Sequence, residues 1–288
     1  VAAMDGRIAL VTGATGGLAK AVAAGLAREG AAVVVIGRNY ARAQEAVQDI
    51  RARVPAATLE PLACDVSLQS SVQAAADQVR ARYGRLDVLV NAAGVFRKER
   101  HVTAEGLELT FATNVMSYFL FSNLLLDALK KAAASAGSAR IVNVTSRYGN
   151  TRLAFDDLQT AKGKYSYLRS TPPTMLARVL LTQELAERLR GTGVVANAVH
   201  PGLVRNTGLL KDVGGPFRWI TNRFGKTAEQ AADTPLWLAT AAETAAVTGK
   251  LWAQRKELPT PGMGSDVEAR HRLWAECSRL AGWDGVHK

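Results

Sequence analysis

The chain has 288 residues and a mass of 30.7 kDa, with 48% apolar and 21% charged residues, which excludes a disordered chain, a collagen-like chain and a disulfide-stapled miniprotein. Lys and Arg number 36 against 25 Asp and Glu, a net charge of +11. The basic residues are scattered rather than blocked and no nucleic-acid-binding signature accompanies them, so the excess reads as a solvated surface and nucleic acid is not an expected partner. Two cysteines, Cys64 and Cys277, fit a reducing compartment rather than a disulfide framework. Val1 to Gly6 carries no charged n-region, and no apolar run reaches the ~18 residues of a membrane span. The expectation is a cytoplasmic protein without a membrane span.

Short Val-rich runs alternate with longer helical patterns over the first 200 residues. Ile8–Thr12, Ala32–Ile36, Leu86–Asn91, Ile141–Thr145 and Val194–Val199 read as strands buried on both faces. Thr58–Cys64 is a weaker strand because Pro61 interrupts it. Between strands, Val72, Ala75, Ala76, Val79 and Tyr83 fall at helical spacing and leave Arg80 and Arg82 to solvent. Repeated strand–helix–strand order predicts an α/β fold, a doubly wound parallel sheet with helices on both faces. No repeat or linker divides the chain, so residues 1–288 read as one domain. The stretch 207–226, with Gly208, Gly214, Gly215 and Pro216, lacks periodicity and reads as a substrate lid. Its Leu209, Leu210, Phe217 and Trp219 point to a bulky, largely hydrophobic small-molecule substrate.

The run Thr12-Gly13-Ala14-Thr15-Gly16-Gly17-Leu18-Ala19 follows the first strand and opens the first helix. In that context Gly13, Thr15, Gly16, Gly17 and Leu18 are candidates to hold a dinucleotide pyrophosphate, whose charge the free N–H groups of a helix start stabilise. Gly37-Arg38-Asn39 follows the second strand. A site selective for NAD carries an acid there, for the ribose 2′-hydroxyl; an Arg pairs instead with a 2′-phosphate. Arg38 and Asn39 thus favour NADP(H), the alternative being an ordinary solvated loop Arg.

With these motifs in hand, the chain resembles the short-chain dehydrogenase/reductase family, of the retinol-dehydrogenase-like kind, over nearly its whole length. Cys64-Asp65-Val66 resembles the adenine contact, assigning Asp65 and Val66 to the cofactor. Asn91-Ala92-Ala93-Gly94 resembles the turn after the fourth strand, assigning Asn91, Ala92 and Gly94. Thr113-Asn114-Val115 resembles the helix segment whose Asn114 supports the active site. Arg140 to Ser146 resembles the fifth strand, ending on a catalytic Ser146. His200-Pro201-Gly202-Leu203-Val204 resembles the loop at the nicotinamide carboxamide, assigning Pro201, Gly202 and Val204. Phe155-Asp156-Asp157-Leu158 and the tail from Gly249 to Trp274 resemble the same subgroup. The resemblance implies a Rossmann-like fold and a homodimer or homotetramer.

The family's Tyr-x-x-x-Lys motif is replaced. Lys164 to Arg169 and Leu176 to Leu180 fix the register, so Thr171 stands at the Tyr position and Met175 at the Lys position. A Thr hydroxyl is far less acidic and shorter than a phenol, and Met carries neither charge nor donor. Pro172 reads best as the first helical residue, with Ser170 or Thr171 as cap. Tyr165 and Arg169 show Tyr-x-x-x-basic spacing, but using them requires a six-residue slip against flanks that align. Tyr167, Tyr148, Arg147, Lys162 and Lys164 are candidates for the substitute acid because they flank the same strand end, the alternative for each being an ordinary loop side chain. His101, His200, His271 and His287 lack metal-ligand spacing, so no metal is expected. Three readings compete. The first is an atypical NADP(H)-dependent reductase of a bulky hydrophobic carbonyl, in a biosynthetic setting. The second is a fold turned to a non-redox cyclisation, dehydration or isomerisation. The third is a non-catalytic NADP(H)-binding protein.

Overall fold

The computed structural model describes residues 3–205, 215–260 and 262–283. Among them, eight strands form one sheet in the order β3-β2-β1-β4-β5-β6-β7-β8. They are β1 (Ile8–Val11), β2 (Ala32–Gly37), β3 (Leu59–Ala63), β4 (Val88–Asn91), β5 (Ala139–Val144), β6 (Val194–Val199), β7 (Leu251–Ala253) and β8 (Lys256–Leu258). All pairings are parallel except the terminal β7–β8 ribbon. The six expected strands form within two residues of their expected bounds. The weak one, β3, is the sheet's edge, where Pro61 is tolerated because an edge needs no second donor.

The helices are α1 (Gly17–Arg28), α2 (Tyr40–Arg53), α3 (Gln69–Tyr83), α4 (Leu109–Phe111), α5 (Ser117–Leu124), α6 (Leu126–Ala136), α7 (Tyr167–Arg188), α8 (Gly215–Phe224), α9 (Ala228–Thr240) and α10 (Val267–Leu280). A π-turn, Ala112–Met116, joins α4 to α5. Side chains alternate along each strand, so the sheet separates two cores. Leu10, Val34, Leu89 and Ile141 pack with α3, α5, α6, α7 and α10. Val11, Val33, Val90 and Val142 pack with α1, α2 and α9. No single described helix is long and apolar enough to cross a membrane.

Two expectations shift. The helix after β5 begins at Tyr167, not at Pro172; Ser166 is its N-cap position and both prolines lie inside it. The reason is burial. Ser170, Thr171 and Pro172 are sealed in the interior, which holds the first turn helical against the local preference of a residue before proline. Of the stretch 207–226, residues 207–214, including Leu209 and Leu210, lie outside the described residues. Residues 215–224 form α8, with Trp219 exposed, and Lys226 follows in a bridge to Val204.

Candidate active site

The strand order reverses between β1 and β4, the point where doubly wound sheets bind ligands beyond their strand ends. At the end of β1, Gly13 has φ +69° and a Cβ there would meet Ala93 Cα at 2.9 Å, so only glycine lets the two turns touch. Thr12 Oγ1 locks that contact by accepting from the Ala92 and Ala93 N–H groups at 2.9 and 3.1 Å. Gly16, at the N-cap of α1, has no side-chain cap, and a Cβ on it would meet nothing within 4 Å. This is a bare helix N-terminus facing open space, with Thr15 and Leu18 half-buried beside it, and it fits a pyrophosphate. Arg38 is exposed immediately past β2. Asn39 is exposed too, but its side chain caps α2 by accepting from Arg42 N at 3.0 Å. Asp65 and Val66 are half-buried; Asp65 accepts from the Ser67 N–H and hydroxyl at 3.0 and 2.7 Å, fixing its turn. Gly94 is half-buried on the β4 turn. Pro201, Gly202 (φ +86°) and Val204 follow β6, and Val204 bridges Lys226.

Asn91 ends β4, and its side chain is fully buried and donates to Asn143 Oδ1 at 2.9 Å, joining β4 to β5. Asn114 is likewise inward. Its Oδ1 accepts from Val95 N at 2.9 Å, and its Nδ2 donates to Val95 O at 3.0 Å and Thr174 Oγ1 at 3.1 Å. It braces the β4 turn against α7 and touches no open volume. That π-turns concentrate at functional sites fits its position there.

Ser146 stands half-buried just beyond β5, and no described residue holds its hydroxyl in a hydrogen bond. Thr145 before it donates from Oγ1 to Met175 O at 2.8 Å, tying the strand end to α7. Thr171 is completely buried, and its Oγ1 has no partner. Met175 is 2% exposed and packs with Phe96, Tyr148 and Tyr167. The Tyr148 and Tyr167 hydroxyls are 2.8 Å apart, and the Tyr167 ring meets Phe96 edge-on at 5.4 Å. Burial raises the Tyr148 pKa above the ordinary phenol value and its bond to Tyr167 raises it further, while the Arg178 charge pulls it down.

Tyr165 is taken elsewhere: its hydroxyl donates to Glu108 Oε1 at 2.9 Å and lies 2.9 Å from Thr110 Oγ1. Lys162 pairs with Asp156 on the surface. Burial lowers the His200 pKa below its ordinary value, opposed by its hydrogen bond to the Thr145 backbone. Among the described residues no group of His, Cys, Asp and Glu has metal-holding geometry. A cavity of about 540 Å³ runs along the start of α7, walled by Phe111, Leu153, Leu158, Pro172, Pro173 and Tyr148.

Sequence reasoning passed over Phe96 and Arg178. Arg178 had a visible signal: a lone basic residue inside the apolar run Leu176 to Leu180. The guanidinium is buried against main-chain carbonyls, and burial lowers its pKa.

Comparison with known proteins points to one family. The family model for short chain dehydrogenase matches residues 7–161. Human retinol dehydrogenase 13 is 35% identical over 293 residues, covering 98% of this chain and 86% of its own. Human polyprenol dehydrogenase is 32% identical, covering 96% and 85%. A crystal structure of a Mycobacterium paratuberculosis protein superposes with a TM-score of 0.77 at 26% identity, covering 97% of this chain and 94% of that one. Gluconate 5-dehydrogenase from Burkholderia cenocepacia, solved with NADP and tartrate, superposes at 0.66 with 25% identity, covering 86% and 93%. By its sheet order, its glycine turn and these relatives, the chain belongs to the short-chain dehydrogenase/reductase family, in the retinol-dehydrogenase-like subgroup.

Proposed function

We propose that this protein is an NADP(H)-dependent oxidoreductase that reduces a bulky, largely apolar carbonyl compound, with Tyr167 as its proton donor. The observation that carries the reading is the Tyr148–Tyr167 hydroxyl pair, packed on Met175 beyond the end of β5. Thr171 cannot serve, because its hydroxyl is sealed inside the protein. Homologous dehydrogenases and a neighbour solved with NADP support nicotinamide binding, and Arg38 favours the 2′-phosphate form.

The chemistry a reduced nicotinamide would supply here is hydride for the carbonyl carbon. The α1 N-terminus would hold its phosphates and Arg38 its 2′-phosphate. The Ser146 hydroxyl donates a hydrogen bond to the substrate oxygen, an interaction that strengthens as negative charge grows there. Tyr167 delivers its proton to that oxygen, and Tyr148 keeps the Tyr167 hydroxyl aimed. The apolar part of the substrate is assigned to the 540 Å³ cavity, because Tyr148 both lines that cavity and reaches Tyr167. In this reading residues 1–288 act as one domain, with 207–226 as the lid.

The test is NADPH oxidation with long-chain and cyclic aldehydes and ketones. Ser146→Ala and Tyr167→Phe are each expected to lower kcat by roughly a hundredfold or more, as for loss of one aimed donor. An unchanged kcat in Tyr167→Phe rejects it as the donor. Met175, packed against Phe96 where the family motif carries a Lys, favours a second reading, a non-redox step. Under that reading the same assay shows product formed with no loss of NADPH.

A further inference from the structure

Pro172 and Pro173 stand side by side inside α7, and with Leu168, Arg169 and Ala177 they line the cavity of about 540 Å³ assigned to the substrate. Positions 168 and 172, and 169, 173 and 177, fall four residues apart and share one face of the helix. A helical carbonyl points along the axis toward the N–H four residues on, so the Leu168 and Arg169 oxygens lie beneath the two prolines, on the cavity face. Proline has no N–H, and its ring crowds the carbonyl four residues back. Leu168 O therefore lacks its i+4 donor. Arg169 O lacks its i+4 donor, at Pro173, and the tighter i+3 donor as well, at Pro172. The neighbouring hydroxyls do not replace them. Ser170 Oγ donates to Ser166 O at 3.1 Å, Thr174 Oγ1 donates to Thr171 O at 2.7 Å, and Thr171 Oγ1 has no partner.

The rest of the wall sets the kind of group that suits these oxygens. Phe111, Val115, Leu153 and Leu158 make much of it apolar. Solvent serves the two acceptors while the cavity is open. A wholly apolar occupant displaces that solvent and leaves them buried and unpaired, which costs more than a made hydrogen bond gains. An occupant with a donor at that place restores the bonds, so such a wall discriminates by the donor. The donor is neutral rather than cationic. Arg152 and Arg169 line the cavity, and Asp157, the one carboxylate among its described lining residues, already accepts from the Ala161 and Lys162 N–H groups at 2.6 and 3.2 Å.

We propose that the Leu168 and Arg169 carbonyls, freed by Pro172 and Pro173, form a hydroxyl-binding subsite, so that the substrate is a hydroxy-carbonyl compound. Its reacting carbonyl lies at Ser146 and Tyr167, and a second group, a neutral hydroxyl on the apolar body, donates to the freed oxygens. The inference deepens the proposed function and rests on its assignment of this cavity to the substrate.

The experiment is calorimetric titration, without nucleotide, of ω-hydroxy-2-alkanones of about 8, 10 and 12 carbons, each against its ω-methyl ether, which keeps the oxygen but cannot donate. In the wild type, at least one hydroxy ketone is expected to bind on the order of tenfold more tightly than its ether. In Pro172→Ala/Pro173→Ala the restored N–H groups occupy both carbonyls, and the preference is expected to fall to about twofold or less. Each single variant restores a helical donor as well and is measured alongside. A direct readout comes from the Arg169–Ser170 peptide, the one Arg-Ser step in the chain. With ¹³C-carbonyl arginine and ¹⁵N serine it gives a single carbonyl resonance, which the hydroxy ketone is expected to move downfield and the ether to leave in place. No binding by any ketone, equal affinities within every pair, or a preference that survives in all the proline variants with the resonance unmoved, overturns the proposal. Because the titration reads no turnover, it separates this inference from the proposed activity: a hydroxyl preference lost in the proline variants, in a protein that oxidises no NADPH, would uphold the subsite and reject the reaction.

Discussion

Arg38 stands exposed at the end of β2, unencumbered by the helix cap that occupies its neighbour Asn39. A charge-assisted Arg–phosphate contact contributes roughly 1.5–3 kcal/mol. Arg38→Ala is therefore expected to weaken NADPH binding roughly tenfold to a hundredfold and NADH binding little, by calorimetric titration with both. Equal losses for the two cofactors would remove the case for NADP(H). Asn91 and Asn114 are both interior braces, Asn91 joining β4 to β5 and Asn114 holding the turn after β4 against α7. A side chain's name does not state which face of a strand end or a π-turn it occupies. Nor did position reveal that Tyr165 and Tyr167, two residues apart, part company, one to Glu108 and the other to Tyr148.

At the scale of elements, α7 decides the outcome of any attempt to install Tyr and Lys at positions 171 and 175. Thr171 is completely buried, so a Tyr there must displace its packed neighbours, which typically costs about 1–3 kcal/mol. Met175 lies among Phe96, Tyr148 and Tyr167, so a Lys there starts as an unpaired buried charge. The double variant Thr171→Tyr, Met175→Lys is expected to melt several degrees lower and to gain little ketone reduction in an NADPH assay. Brisk reduction at an unchanged melting temperature would show that the helix has room for both groups. The strands were legible because a parallel sheet covered on both faces demands unbroken Val-rich runs. The start of α7 was not, because the burial of Ser170, Thr171 and Pro172 overrides the preference that Pro172 imposes locally. β7 and β8, three residues each, are too short for any periodicity to register.

Across the whole molecule, the two cores hide groups that ionise in alkali. Burial raises the Cys64 thiol from 9.0 to about 11 and the Tyr118 phenol from 10.0 to about 12, and it drives Cys277 upward as well. Folded, these groups keep their protons; unfolded, they lose them near the ordinary values. Unfolding thus releases protons, and stability falls as pH rises. The stabilisation is full below about pH 8 and is lost progressively from about pH 9 toward pH 12. Urea unfolding at about pH 7 and pH 10 is expected to differ by on the order of 3 kcal/mol, less at the higher pH. Both thiols are expected to resist alkylation until the protein unfolds. A flat stability profile, or rapid native labelling of either cysteine, would contradict this account of the interior.

Val204 and Lys226 form a parallel bridge that fastens together the two ends of the stretch between them. There Arg205 N donates to Lys226 O at 3.0 Å and Lys226 N to Leu203 O at 2.8 Å. With both ends fastened together, the entropy of closing the stretch between them grows only with the logarithm of its length. A change of length there is therefore expected to cost the fold little through loop closure itself, so the bridge lets that stretch vary in length while the sheet and the glycine turn stay as they are.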